Sequence, residues 1–434
     1  MACRDWGYYS DNWLGKPRIL LSAGHGYGNV GDEAQCGACI ARWRRTVPNC
    51  GITLFSPNPA YTEALHHEKS VWAPRVAWFL SNTGGPYFGE KQSFRRFYAK
   101  LRRRMLFSAR MMARGISLLS VNSREATILQ EILTSDLVHI SGGGFLTGKT
   151  SSRLWENCLL MEICQVLGVP YILTGHNIGV FQDRADEKTA FRGLKGAEYI
   201  GLRDKGISER DLAAIGIRGD HIESTCDDAL LCPKHDANLT TQYLVKLGID
   251  PLKPWVAANF HHWGQDKADR ERIEQRFAKI CDTVATKHQL QIIFIAMTPS
   301  DVEPEIGVIE KMSQNAVLFP YSPNYEAVRG VIAESHLVFT MKHHPIVFAQ
   351  GEGVPVVAVA LDDYYTHKNA GALDNVGHAR FLVGPSDYYT NKPVHAIDEV
   401  IANRSKLKAD MQKWTKQMRE EELSPYRRAL DLRK

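Results

Sequence analysis

Residues 339–368, FTMKHHPIVFAQGEGVPVVAVALDDYYTHK, decide the fold. LVFT, residues 337–340, is a short β-branched and aromatic run, and Lys342, His343 and His344 follow it. Residues 346–350 restart as an apolar helix that Gly351 and Gly353 end. VPVVAVAL, residues 354–361, is almost unbroken apolar sequence, the pattern of a parallel strand covered on both faces. Ligands of open α/β sheets sit beyond the carboxyl ends of the strands, so this reading projects Lys342, His344 and Lys368 into one cleft. Converging cations suit a phosphate or a carboxylate. Taken singly, His343 and His344 also read as ordinary helix-start residues and Lys368 as a solvated lysine.

A chain of 434 residues is long enough for two or three domains, each with its own core. Hydrophobic residues make up 44% and charged residues 23%, the proportions of a globular protein rather than of a disordered chain. No run approaches the roughly 20 apolar residues of a membrane span. The first residues, MACRDWGYYSDNWLGK, lack the apolar region of a secretory signal, and the nine cysteines show no framework spacing. Both features lead us to expect a cytoplasmic protein. The net charge of +5 is too small to call for a nucleic-acid partner.

From Arg18 the chain alternates strand and helix. RILLSA is a strand, GHGYGNVGDE a glycine-rich turn, AQCGACIARWRRT a helix and ITLFSP the next strand. Residues 61–114 break this rhythm as a mostly helical, basic insertion. Alternation then resumes and closes with HIESTCDDAL at residues 221–230. The first domain is thus expected over residues 17–235. Residues 233–254 carry three prolines and no clear strand, and we place the domain boundary inside them. A second alternating series fills residues 251–395, and residues 396–434 form a charged helical tail. The fold class is α/β, with two Rossmann-like doubly wound domains facing each other across a cleft.

Between residues 91 and 114 stand nine Lys or Arg and no acid. Phe94, Tyr98, Leu101, Met105, Ala109 and Met112 recur at helical spacing, so this is a basic amphipathic helix. It could rest on an anionic membrane surface at the inner face of the membrane, or hold a lipid-linked, phosphate-bearing acceptor. It could equally pack by its apolar stripe on the domain and leave a solvated basic face.

Several formal motif matches carry little chemistry. GYGNVG, residues 26–31, has the G-x-G-x-x-G spacing, yet the acidic residue expected at the end of the second strand is absent from LFSPNP. What remains is backbone that a ligand can approach closely, with Asn29, Asp32 and Glu33 at a helix start. GGFLTGKT, residues 143–150, has P-loop spacing, but no strand clearly supplies the magnesium-holding acid. We read it as a glycine-rich strand-to-helix turn, with Gly143 and Gly144 lining the cleft. Cys36 and Cys39 form a single CxxC inside a helix, and the His66-His67 and His261-His262 doublets lack ligand spacing with any carboxylate. No catalytic metal and no cofactor are expected.

NVGDEA (29–34), SGGGFL (141–146), GHNIG (175–179), LRDKGISERDLAAIGI (202–217), CDDAL (226–230) and the opening stretch occur in one order that resembles the polysaccharide pyruvyl transferase family. The resemblance covers about residues 18–390, outside the insertion and both ends. It implies two Rossmann-like domains of the glycosyltransferase B type, the first on the acceptor side and the second on the donor side. It also implies transfer of pyruvate from phosphoenolpyruvate, as co-substrate, onto a saccharide or lipid-linked saccharide as a ketal. Arg203, Lys342 and His344 stand at the family's donor-binding positions, with Lys342 where the family has arginine. Pro345 and Val180 are further departures from its pattern. Asn29, Gly31, Gly143, Gly144 and Asn177 would line the cleft.

The implied chemistry fits the residues. Arg203, Lys342 and Lys368 would neutralise the carboxylate and phosphate of the donor. Protonation of its methylene carbon creates an oxocarbenium-like centre that a sugar hydroxyl attacks, and phosphate leaves. His344 is the candidate general acid. Asp32 or Glu33 would take the hydroxyl proton, although helix capping is the competing role for Asp32. Two other readings stay open. One is a nucleotide-sugar glycosyltransferase, with Glu352 or Asp362 on the ribose; the other is an inactive glycan- or phosphate-binding homologue.

Overall fold

The computed structural model describes residues 16–78, 91–120, 123–204, 206–234, 236–262 and 266–431. They fall into two units. The first holds the described residues of Met1–Tyr27, Gln35–Asp228 and Glu421–Lys434, and the second holds Gly28–Ala34 and Ala229–Glu420.

In the first unit, β1 (Arg18–Ser22) leads to α1 (Val30–Thr46), whose first turn is grouped with the second unit. Then come β2 (Gly51–Ser56), α2 (Pro59–His66), β3 (Lys69–Trp72), α3 (Pro74–Trp78), α4 (Lys91–Met112) and α5 (Arg124–Thr134). They are followed by β4 (Leu137–Ile140), β5 (Gly143–Thr147), α6 (Ser151–Leu167), β6 (Tyr171–Gly179), α7 (Arg184–Leu194), β7 (Tyr199–Leu202), α8 (Ile207–Ala214) and β8 (Ile222–Ser224). The sheet runs β3-β2-β1-β4-β6-β7-β8, with β5 also paired to β6 and every pair parallel. β4, β6 and β7 are buried at every residue, as strands of a parallel sheet covered on both faces are. The chain leaves β1 toward β3 and returns on the other side at β4, so the topological switch point lies between β1 and β4.

The second unit holds α9 (Ala237–Lys246), β9 (Trp255–Asn259), α10 (Lys267–His288), β10 (Gln291–Ile295), α11 (Val302–Ile309), β11 (Ala316–Phe319), α12 (Tyr325–Ala333) and β12 (Leu337–Thr340). It continues with α13 (His343–Glu352), β13 (Val356–Val359), α14 (Asp363–Asp374), β14 (Leu382–Val383), α15 (Pro385–Tyr388), α16 (Lys392–Ala402) and α17 (Arg404–Glu421). Its parallel sheet runs β11-β10-β9-β12-β13-β14, with the switch point between β9 and β12. Helix α18 (Ser424–Asp431) belongs to the first unit.

Three details depart from the sequence reading. Within the segment 61–114 the described residues hold helices α2, α3 and α4 together with β3, a four-residue strand that pairs with β2 and is too short to show a period, and residues 79–90 of the expected insertion lie outside the described residues. The chain changes units between Asp228 and Ala229 rather than within 233–254. Asp228 is bound to Arg42, Ser141, Gly142 and Thr174, whereas the carbonyls of Ala229 and Leu230 accept from Arg329 of the second unit. The tail is split as well, because Tyr426 on α18 packs edge-on against Trp43, 4.9 Å between ring centroids, within the core of the first unit.

Candidate active site

Carboxyl ends of parallel strands flanking a switch point leave room for ligands. In the second unit those ends are Asn259 of β9 and Thr340 of β12, neighbours in register. The Thr340 hydroxyl donates to Asn259 Oδ1 at 3.3 Å and accepts from the Lys342 amide at 3.0 Å. Residues just beyond these ends, His261 and Lys342, converge on one buried carboxylate. Asp301 Oδ1 lies 2.9 Å from His261 Nδ1, and Asp301 Oδ2 accepts from Lys342 Nζ at 2.7 Å. Asp301 Oδ2 also accepts the amides of Met297 and Thr298, which tie down the turn after β10. Burial pushes the Asp301 carboxyl up, but the His261 hydrogen bond and the Lys342 charge outweigh it and hold its pKa below the ordinary value. Burial lowers the pKa of His261 despite its bond to Asp301, with Lys342 adding to the effect. A neutral imidazole oriented by a carboxylate is the arrangement of a positioned acid–base group.

Lys342 Nζ also donates to Thr298 Oγ1 at 3.0 Å. An ammonium has three donors, so two fixed partners aim the third. Next to this cluster, Glu305 is fully buried, and its Oε1 accepts from Asn259 Nδ2 and the Phe260 amide at 3.0 and 3.1 Å. Burial first, and then the charge of Asp301, push its carboxyl well above the usual range.

His344, in the first turn of α13, is buried and lies against Gly31 in the first turn of α1, which belongs to the same unit. A Cβ on Gly31 would sit 1.9 Å from His344 Nδ1, so only glycine admits the ring there. Asn29 Oδ1 accepts the Gly31 amide at 3.1 Å, so the asparagine caps this helix start and Asp32 follows in its first turn. Asp32 is half-buried; burial raises the pKa of Tyr365 on α14, and Tyr364, Asp301, Asp362 and, last, Asp32 add to it. Tyr365 stacks edge-on to His261 at 5.9 Å. The second unit thus holds Asn29, Gly31, Asp32, Lys342 and His344, and adds His261, Asp301 and Glu305. Lys368 lies on α14 with its Nζ 5.8 Å from the Tyr364 ring.

The remaining expected residues belong to the first unit. Arg203 is 2% exposed; its Nε donates to Asn177 Oδ1 at 2.5 Å and its Nη1 pairs with Asp227. Gly143 and Gly144 belong to strand β5 rather than to the expected turn, and Asn177 belongs to β6. The GGFLTGKT run forms a strand and one 3-10 turn, not a phosphate-cradling loop. Gly175 has φ 65°, and a Cβ there would meet the Asp228 amide at 2.9 Å. This ties the GHNIG and CDDAL motifs together by packing. Val180 has φ 50°, a value closed to proline, which accounts for the departure at this position.

Cys39, His139 and Asp228 present side-chain atoms within 4.8 Å of one another. Their capacity is already used. His139 Nδ1 accepts from Trp43 Nε1, so Nε2 carries the proton and donates to Thr174, which in turn donates to Asp228. Asp228 is saturated by four donors, and burial raises the Cys39 pKa to about 12. These groups do not suit a cation. The two carboxylates suited to a ribose are also engaged: Glu352 pairs with Arg329 and Lys234, and Asp362 caps α14. His261 and His262 do have carboxylate partners, Asp301 and Glu274, which lie 40 and 12 residues away in sequence.

Comparison with solved structures places the fold. A glycosyltransferase from Rickettsia africae ESF-5 superposes with a TM-score of 0.54 at 12% identity, covering 96% of this chain and 99% of that one. A UDP-GlcNAc 2-epimerase from Neisseria meningitidis, bound to UDP-GlcNAc, gives 0.55 at 10% identity, covering 94% and 100%. A UDP-GlcNAc 2-epimerase from Methanocaldococcus jannaschii gives 0.54 at 13% identity, covering 89% and 93%. At these identities the likeness is one of fold, the two-domain α/β architecture of glycosyltransferase B enzymes. No curated protein sequence matches the chain. The family model described as polysaccharide pyruvyl transferase matches residues 29–363, from the Asn29 cap to the start of α14, and the chain belongs to that transferase family.

Proposed function

We propose that the protein transfers the pyruvate unit of phosphoenolpyruvate onto two hydroxyls of a saccharide or lipid-linked saccharide as a ketal, in cell-surface polysaccharide or glycolipid synthesis. The observation that carries this reading is the family match taken together with Lys342 and His344 at the switch point of the second sheet. Lys342, steadied by Asp301 and Thr298, offers an N–H to the donor's carboxylate or phosphate. The amino terminus of α13 adds its dipole there.

The reaction balances as follows. A proton adds to the donor's methylene carbon, giving a methyl group and an electron-poor C2. One sugar hydroxyl oxygen bonds to C2, the C2–O bond to phosphate breaks, and a second hydroxyl closes the ketal. Of the two hydroxyl protons released, one balances the methyl group and the other leaves on hydrogen phosphate. His344 is assigned as the acid toward the methylene carbon, and Asp32 as the acceptor of a hydroxyl proton. The test is phosphate release and ketal formation, followed by mass spectrometry, with phosphoenolpyruvate and a panel of acceptors bearing paired hydroxyls. His344→Ala should abolish turnover with unchanged circular dichroism; retained turnover removes His344 from the mechanism.

A further inference from the structure

Helix α4 divides its residues cleanly. Tyr98, Leu101, Met105 and Ala109 are buried in the core of the first unit, where Tyr98 meets Trp155 edge-on at 4.6 Å. The apolar stripe is therefore consumed by folding, and what it leaves outward is a second stripe. Arg96, Lys100, Arg103, Phe107 and Arg110 follow one another at steps of four, three, four and three residues, one line along a helix, and all are exposed. The line is about 21 Å long at the helical rise per residue. Arg114, also exposed, extends it into the next turn. The other described arginines of the helix turn aside to acids: Arg95 to Asp183, Arg102 to Glu162 and Arg104 to Glu125. Among the described residues no carboxylate pairs with Arg96, Lys100, Arg103, Arg110 or Arg114. Phe107 is 56% exposed in the middle of this line, and Ile116 and Leu118, 47% and 49% exposed, follow the helix.

We propose that this face docks the protein on an anionic lipid bilayer. Cations that no described carboxylate pairs with match phospholipid phosphates, and aromatic and aliphatic side chains among them match the acyl boundary just beneath. A nucleic-acid partner would use the cations and leave Phe107, Ile116 and Leu118 unexplained. The proposal goes beyond the transfer reaction, and its test reads no turnover, so each can fail without the other.

The experiment is cosedimentation of the full chain with vesicles of phosphatidylglycerol in phosphatidylcholine, beside pure phosphatidylcholine vesicles. The protein should partition onto the anionic vesicles only, and added salt should weaken binding. Each lost cation should cost about fivefold, so Lys100→Glu with Arg103→Glu should weaken partitioning by at least about 25-fold. Phe107→Ser should weaken it at unchanged charge. All three side chains are exposed, so circular dichroism should not change. Equal binding to neutral vesicles, undiminished binding of the charge-reversed protein, or binding to an RNA oligonucleotide without binding to vesicles would overturn the proposal.

Discussion

The imidazole of His344 occupies the space that a side chain on Gly31 would need, with Nδ1 only 1.9 Å from the position of a Cβ. The contact joins the start of α1 to the start of α13, 313 residues apart by subtraction of their numbers. Gly31→Ala should displace the ring, at a cost of about 1–3 kcal/mol from overpacking. The lower unfolding midpoint should be accompanied by a loss of turnover. An unchanged midpoint with full activity would show that the ring is free to move.

Asp301 is the pivot of the second-unit cluster. Asp301→Asn keeps the shape but leaves the Lys342 ammonium, whose side chain is 12% exposed, without its carboxylate. Breaking a buried pair in this way typically costs about 3–5 kcal/mol. Denaturant unfolding should show a loss of this order, and Lys342→Met combined with Asp301→Asn should recover part of it, because no unpaired charge then remains.

Acid should loosen the first unit by forcing protons onto two buried imidazoles, partly offset by Glu156, whose carboxyl burial raises to about 6. Burial lowers the pKa values of His139 and His176 to about 4 from 6.5. Below about pH 6.5 the unfolded chain binds protons that the folded chain refuses, so this stability is complete above that pH and is lost as pH falls toward about 4. Each imidazole should contribute about 2 kcal/mol to the drop between about pH 7 and about pH 5. His139→Gln should flatten the pH dependence by about half.

Val180 holds a left-handed backbone that a β-branched residue adopts at a cost of about 1–2 kcal/mol. It is 57% exposed, so its side chain contributes little packing. Val180→Asn should be neutral to stabilising by about 1 kcal/mol in unfolding measurements. A clear destabilisation would mean that the amide of this residue, which donates to Asp211 Oδ2 at 3.0 Å, depends on the valine.

Much of this architecture is legible in the sequence where burial is two-sided. VPVVAVAL and LVFT read as strands because helices cover both faces of parallel sheets, so apolar residues run almost unbroken. KSVW does not, because β3 is a short edge strand with its end residues exposed. GGFLTGKT reads as a loop because glycine suggests a turn, yet its first five residues form β5, which pairs with β6. Lys342 and His344 are visible from their place after a strand. His261 occupies the same kind of place after β9, but its partner Asp301 is 40 residues distant, and sequence spacing carries no trace of that pairing. The only local sign is the TPSD turn, whose aspartate reciprocates with Thr298 in a capping box.

The most direct test of the donor assignment is the unfolding midpoint of the full chain with phosphoenolpyruvate, set beside UDP, GDP, UDP-sugars and ATP with magnesium. A ligand that binds only the folded state, at about 100 times its dissociation constant, stabilises by about 2.7 kcal/mol. The account predicts a rise with phosphoenolpyruvate that is absent in Lys342→Ala. A rise with a nucleotide and none with phosphoenolpyruvate would contradict it.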